Sequence, residues 1–290
     1  MATLEHVGMR DLLRVDQRTL DLAAIDPAST PGVPSGLSRK HAKAWSRDQL
    51  GLIGDELASL QERLFAGGKE GEGRRVLLVL QAMDCGGKDG TVKNVAGAMN
   101  PLGLRITGFG APTAAELRHH FLWRIRRALP GPGLVGVFNR SHYEDVLVAR
   151  VEGLVPQQVW ERRYAEINRF EARAEADGLR IVKVMLHISA EEQKKRLLER
   201  LDDPTKHWKY NPGDLDARAK WDSYQDAYAA ALRRCSTPAA PWYVVPADRK
   251  WYRNWAVAHL LWETMEAMNP RYPPPMFDVA AERQRLLAAD

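Results

Sequence analysis

The run Gln81-Ala82-Met83-Asp84-Cys85-Gly86-Gly87-Lys88-Asp89-Gly90-Thr91 has the residue types to hold phosphate. An apolar stretch, Val76-Leu77-Leu78-Val79-Leu80, precedes it with the look of a buried strand, and Val92 to Met99 follows with the look of a helix. A strand, a glycine-rich turn with lysine, and a helix together place bare backbone N–H groups, a helix N-terminus and an ammonium around one point. The match to the phosphate-loop pattern G-x-x-x-x-G-K-[ST] is partial. Gly87-Lys88 fits, but Ala82 stands where the first glycine belongs and Asp89 replaces the hydroxyl residue. Asp84 adds a carboxylate inside the loop. Phosphates repel a carboxylate unless a divalent cation lies between them, so Asp84 is expected to be a metal ligand. A plain turn with Lys88 in solvent is the alternative at this point.

A second constellation closes the next apolar run but one: Val137-Phe138-Asn139-Arg140-Ser141-His142-Tyr143-Glu144-Asp145. Ligands of open parallel sheets sit outside the carboxyl ends of the strands, so this segment is expected to face the phosphate loop. Arg140 suits phosphate oxygens through its planar fork. Either Asp145 or Glu144 could complete a Mg²⁺ site with Asp84, and an Arg–Glu ion pair at a helix start is the competing role. His142 has no evident partner for nucleophilic or metal chemistry and is assigned to packing or hydrogen bonding. A third segment, Asp202 to Asp214, sets Lys206 and Lys209 among aromatics between two helical patterns, where kinases carry a mobile lid. A solvated charged loop is the alternative there. Of the arginines in 113–129, Arg124 beside Phe121-Leu122-Trp123 is expected to face inward.

The elements that must position these groups alternate. Apolar runs at 76–83, 104–109, 134–138, 180–188 and 242–246 are separated by helical patterns near 88–99, 113–129, 156–177, 189–201 and 214–233, with a last helix at 250–268. That alternation predicts an α/β fold with a parallel sheet covered on both faces. Leu50, Ile53, Leu57, Leu60 and Leu64 mark an earlier amphipathic helix that Gly67-Gly68 is expected to end. Residues 1–45, rich in Pro, Gly and Ser at 26–36, predict an N-terminal arm over a main body of 46–290. Trp251, Trp255, Ala258, Trp262 and Met265 predict a packing stripe on the last helix.

The 290 residues carry a formal charge of +5, which favours an anionic partner of any kind: nucleic acid, polyphosphate or an acidic small molecule. No apolar run approaches membrane-span length, and the first residues lack the basic-then-apolar order of a signal peptide. Two cysteines, Cys85 and Cys235, build no disulfide framework, so a cytoplasmic location is expected.

With these segments placed, the chain resembles the polyphosphate kinase 2 family from about Leu37 to Pro275. The resemblance rests on the Ala82-to-Lys88 loop, Asn100-Pro101, Ala111-Pro112-Thr113 and Phe121-Leu122-Trp123-Arg124. It continues through Phe138 to Leu147, Asp203 to Tyr210, Pro241-Trp242, Pro246-Ala247-Asp248 and Lys250-Trp251-Tyr252-Arg253. It implies a thymidylate-kinase-like five-stranded parallel sheet with flanking helices, a lid at about 202–225, and a homodimer or homotetramer. The implied activity is Mg²⁺-dependent phosphoryl transfer between inorganic polyphosphate and AMP, ADP or ATP, with guanine nucleotides as further acceptors and neither nucleic acid nor membrane as partner. Family members that prefer diphosphates carry Asp-Arg-Ser-Trp-Tyr-Asn-Arg in the second motif. Asn139, His142 and Glu144-Asp145 depart from it and resemble the group that takes both AMP and ADP, which moves the expected carboxylate to Asp145. On this basis Asp84, Lys88, Arg140, Glu144 and Asp145 are expected at the chemistry, with Asp84 and Asp145 holding Mg²⁺. Gly86, Gly87, Lys88, Asp89 and Arg140 are expected on phosphate, with Lys93, Arg124, Lys206 and Lys209 along the polyphosphate or nucleotide phosphates. An ATP-dependent nucleotide kinase and a non-catalytic polyanion-binding protein are the alternatives. Asp84 and the absent Ser/Thr at position 89 argue against the first, and the paired acids near Lys88 against the second.

Overall fold

The computed structural model describes residues 3–289. Each of the five apolar runs is a strand: β1 (Arg75–Gln81), β2 (Leu104–Gly108), β3 (Val135–Asn139), β4 (Leu179–His187) and β5 (Trp242–Pro246). They form one parallel sheet in the order β2-β3-β1-β4-β5. β1 and β4 are buried on both faces, which is why they read as near-continuous apolar runs and not as alternating ones. The side-chain period of two still sorts them. Val76, Leu78 and Leu80 face one core layer, and Leu77 and Val79 face another.

The helices are α1 (Met9–Leu13), α2 (Arg39–Lys69), α3 (Lys88–Ala96), α4 (Trp123–Ala128), α5 (Val148–Val151), α6 (Gln157–Ala176), α7 (Ala190–Asp202), α8 (Gly213–Ala219), α9 (Trp221–Cys235), α10 (Lys250–Met268) and α11 (Val279–Leu287). The layer that takes Val76, Leu78 and Leu80 comes from α2, α3 and α10, while α4 and α6 supply side chains to the layer under Leu77 and Val79. The tryptophan stripe understates α10, because every residue from Tyr252 to Met265 is buried. The sheet, α2 and the N-terminal arm enclose that helix on all sides. The arm is stitched in by its own backbone: Val15 N–H donates to Trp242 C=O (2.9 Å), and Met9 and Arg10 N–H donate to the Glu263 carboxylate (2.8 and 2.9 Å).

Three helical patterns differ from the sequence expectation. α2 begins at Arg39, inside the span assigned to the arm, and runs on through Gly67-Gly68. Those glycines serve packing, since a Cβ on Gly68 would lie 2.5 Å from the Gly133 Cα. The pattern at 113–129 splits into a short 3₁₀ turn at Glu116–Arg118 and α4. Between them His120 turns toward Glu166 (2.8 Å) while its other ring nitrogen takes the Leu122 N–H (3.3 Å), a local bond that competes with the helix ladder. The pattern at 214–233 breaks at Lys220 into α8 and α9.

Register positions the site. Leu80 pairs with Asn139 and Gln81 with Met185, so β1, β3 and β4 end together and their following loops meet above one edge.

Candidate active site

The phosphate loop leaves β1 through a turn closed by Gly86 N–H to Met83 C=O (3.0 Å). Cys85 is left-handed (φ 61°), and so is Gly87 (φ 101°), which caps α3. A Cβ on Gly87 would stand 1.8 Å from Arg253 Nη1, so glycine is required there by backbone and by space. The first N–H groups of α3 therefore open into the cleft at the positive end of a nine-residue helix. Lys88 is buried and donates to the loop carbonyls of Ala82 (2.8 Å) and Met83 (3.4 Å). Burial, reinforced by the charge of Arg140, draws its pKa below the ordinary lysine value.

The second constellation arrives from β3. Arg140 takes a left-handed turn (φ 64°), and its N–H donates to Leu80 C=O (3.0 Å), locking the two loops together. Its guanidinium donates to Asp84 Oδ1 (2.7 Å) and to Glu144 Oε2 (3.5 Å). Glu144 also accepts from Gln81 Nε2 (3.1 Å). Burial opposes the Arg140 charge, but Glu144 and Asp84 outweigh it and raise the pKa.

A cleft of about 590 Å³ opens over these groups. It is lined by Asp84, Gly87, Lys88, Asp89 and Arg140, together with Asn139, whose amide donates to Asp89 (2.7 Å). From the 3₁₀ stretch Pro204–Lys209 come Lys206 and Lys209, so the structure gathers the loop, the second motif and this basic segment at one place. Glu144 lines a smaller recess beside Asp84 and Arg140.

Asp145 is placed elsewhere. Its carboxylate pairs with Arg163 of α6 (3.1 Å) and does not line the cleft with Asp84. Burial raises its pKa even against that arginine. Asp214 of α8 lines the cleft together with Asp84 and sits 3.3 Å from Arg200. Burial, and next the charge of Asp84, raises the Asp214 pKa. Lys93 stands exposed on the last turn of α3, outside the cleft lining. Arg124 does face inward, donating to Gly110 C=O (2.9 Å), and lines a groove that shares Gly108, Phe109 and Gly110 with the cleft.

Several cleft residues escaped the sequence reading. Arg196 of α7 donates to the carbonyls of Cys85 (2.9 Å), Ala247 (2.8 Å) and Asp248 (2.9 Å), tying the phosphate loop to the end of β5. Arg253 of α10 is buried against Gly86 C=O (3.4 Å), and burial with the nearby Arg196 pulls its pKa down to about 10. Arg200 and Lys250 complete the lining, which holds eight cationic side chains against four carboxylates. Only Lys250 and Arg253 had a signal, as the first and last residues of the Lys250-Trp251-Tyr252-Arg253 run, and nothing in the spacing located them at the loop.

Among the described residues no group of three His, Cys, Asp or Glu side chains forms a metal cage. Mg²⁺ does not need one, because it takes one or two carboxylates and completes its octahedron with water and substrate phosphates. Asp84 and Asp214 fit that demand: two carboxylates lining one cleft, whose mutual repulsion a cation would relieve.

Five parallel strands flanked by helices, with a cationic loop at their carboxyl edge, define a phosphate-loop-kinase-like fold. Comparison with known proteins narrows the class. Residues 40–273 match the family model Polyphosphate kinase 2 (PPK2). The chain is 48% identical over 263 residues to an AMP/ADP-polyphosphate phosphotransferase of Meiothermus ruber, covering 91% of this chain and 94% of that one. It is 40% identical over 262 residues to an ADP-polyphosphate phosphotransferase of Rhodopseudomonas palustris, covering 86% and 87%. The crystal structure of Polyphosphate Kinase 2 from Arthrobacter aurescens TC1 superposes over the whole of both chains with a TM-score of 0.94 at 50% identity. The chain belongs to the polyphosphate kinase 2 family.

Proposed function

We propose that this chain is a Mg²⁺-dependent kinase that moves a phosphoryl group between inorganic polyphosphate and adenine nucleotides, AMP to ADP and ADP to ATP. Guanine nucleotides are proposed as further acceptors. The carrying observation is a carboxylate, Asp84, inside the same loop that presents Lys88, bound to Arg140 at 2.7 Å and lining one cleft with Asp214. A loop built only to grip phosphate gains nothing from that acid.

Phosphoryl transfer needs positioning and charge neutralisation more than covalent help. Lys88 and the N–H groups at the start of α3 hold phosphate oxygens at the transfer point. Arg140, fixed between Asp84 and Glu144, neutralises charge that develops on the moving group. Arg196 and Arg253 keep the loop backbone in place from behind. Lys206 and Lys209 close from the lid onto polyanion and help exclude water, the competing acceptor. A nucleotide phosphate is already ionised at neutral pH, so no strong general base is required. Asp84 and Asp214 would hold Mg²⁺, which supplies charge neutralisation between the two anionic substrates. Asp214 takes the role that the second motif suggested for Asp145.

No helix is long and apolar enough to cross a membrane. A cytoplasmic location is proposed on the two unpaired cysteines, and a homodimer or homotetramer on the family resemblance. The test is to incubate purified protein with polyphosphate, Mg²⁺ and AMP, ADP, GMP or GDP in turn, and to resolve products by chromatography. ADP and ATP formed from polyphosphate are expected. Product from ATP plus AMP, with none from polyphosphate, would overturn the proposal.

A further inference from the structure

Beneath the turn that carries Arg140 and Glu144 lies a charged cluster with no access to substrate. Lys183, in the middle of β4, and Glu171, on the inner face of α6, are both fully buried and paired at 2.5 Å. Burying two charges costs free energy that their attraction rarely recovers in full, so such a pair is weak evidence for stability and calls for another role.

The hydrogen bonds supply one. A clip between α6 and β4 would need only the pair itself. Instead Glu171 Oε1 accepts from the Tyr143 hydroxyl (2.9 Å) and lies 3.1 Å from His142 Nε2. Lys183 also donates to the Tyr143 hydroxyl (2.8 Å) and to Cys235 C=O (2.7 Å). His142 and Tyr143 open the 3₁₀ turn His142–Asp145 that follows Arg140 and Ser141. Ser141 closes the same turn from above, its C=O accepting the Glu144 N–H (3.1 Å) and its hydroxyl accepting the Tyr143 N–H (3.2 Å). One buried carboxylate thus grips two successive residues of the turn, while Arg140, two residues before them, donates to Asp84, and Glu144, the residue after them, accepts from Gln81 and Arg140.

We propose that Glu171 and Lys183 are positioning residues for phosphoryl transfer, anchoring His142 and Tyr143 so that Arg140 and Glu144 are held in register with Asp84. The proposal rests on the phosphotransferase function above. Arg140 acts on charge that develops during transfer, so a loosened turn lowers kcat more than it raises KM.

The decisive variant removes both charges for apolar groups of similar size, Glu171→Leu with Lys183→Met. Exchange of a buried ion pair alone is often neutral for stability, but here it also strips the Tyr143 hydroxyl, His142 Nε2 and Cys235 C=O of these partners, so a lower melting temperature is expected with the fold retained. Assayed well below that melting temperature, kcat for ATP formation from polyphosphate and ADP is expected lower by about tenfold or more and KM for ADP within about threefold. Hydrogen exchange read by mass spectrometry should show amides of 140–146 exchanging at least about tenfold faster, with 82–90 unchanged. Parent-like kcat and exchange would overturn the proposal. So would a kcat loss that merely follows a general fall in protection. Should the double variant fail to fold, Tyr143→Phe and His142→Asn cut the links and leave the pair in place. Parent-like kcat and 140–146 exchange in both would refute the anchoring role. If the parent makes no ATP from polyphosphate, the proposed activity fails, and the exchange data still decide whether the pair holds the turn.

Discussion

Gly87→Ala is the sharpest probe of the phosphate loop. Gly87 sits at φ 101°, a backbone conformation that L side chains rarely adopt, and holding a non-glycine residue in such strain costs roughly 1–3 kcal/mol. The added methyl also has nowhere to go, because its carbon would stand 1.8 Å from Arg253 Nη1 where ordinary contact begins near 3.4 Å. Arg253 is buried and bound to Gly86 C=O and to Asn254, so it cannot swing aside without losing those bonds. The backbone cost alone should lower the melting temperature by about 2–4 °C per kcal/mol. Turning the first N–H groups of α3 away from the transferring phosphate should lower kcat on the order of 10²-fold. The assay is coupled ATP formation from polyphosphate and ADP, with thermal unfolding in parallel. A double-mutant cycle with Arg253→Ala separates the two causes: the damage from Gly87→Ala should shrink once the arginine is gone, leaving the backbone part. Parent-like turnover in Gly87→Ala, or strictly additive effects in the cycle, would refute the reasoning.

Four further outcomes are expected. Lys88→Ala should reduce kcat on the order of 10²-fold, and a near-normal kcat would make the lysine structural. Asp84→Asn should abolish Mg²⁺-dependent ATP formation from polyphosphate, and a retained rate would remove the metal role. Asp214 has a folded pKa raised above its unfolded value, so it favours the folded state below the ordinary carboxylate range and loses that contribution as pH rises through the folded pKa. Asp214→Asn should therefore melt higher than the parent at pH 7 and lose that advantage near pH 3, which thermal unfolding across pH would show. In α2, Gly51→Ala meets no atom within 4 Å and should stabilise by about 0.5–1 kcal/mol, whereas Gly68→Ala collides with Gly133 and should cost about 1–3 kcal/mol. Melting temperatures that moved in the same direction would contradict the packing assigned to Gly68.

The sheet was legible because β1, β3, β4 and β5 are buried along nearly their whole length, whereas the edge strand β2 is largely exposed and was marked only by its short apolar run. Apolar runs such as Val76–Leu80 can occur in a helix-flanked parallel sheet and in few other places, and all five became strands. The helix ends were less legible, since they depend on distant groups. Gly67-Gly68 looks like a stop signal until Gly133 is seen against it. The two hydrogen bonds that break the 113–129 pattern need Glu166, on another helix, to orient His120. In the site, the Asp84 loop after β1 was found by its glycine-lysine pattern, and Arg140 by its place after a strand end. Asp145 went astray because one step along a 3₁₀ turn rotates a side chain by about a third of a revolution. Glu144 faces Arg140 while Asp145 faces Arg163.

What sequence spacing could not supply is the charge balance behind the loop. Arg196 of α7 donates to three backbone carbonyls and pairs with Glu192 (2.8 Å), while Arg253 of α10 donates to the Asn254 side-chain oxygen (2.8 and 3.1 Å) and to Gly86 C=O (3.4 Å). A neutral oxygen orients a cation without cancelling its charge, so Arg253 remains a positive group behind the loop. Lys88 is held in the same way, by Ala82 and Met83. The carboxylates of the site are spent differently: Asp84 on Arg140, Asp89 on Asn139, Asp214 beside Arg200. The cleft thus has two electrostatic layers, a rear wall in which Lys88 and Arg253 are held by neutral oxygens and Arg196 by carbonyls and Glu192, and a front row of acids. Under the proposed function two polyanions would meet there because the rear wall lowers their mutual repulsion, while the front row would hold the proposed divalent ion.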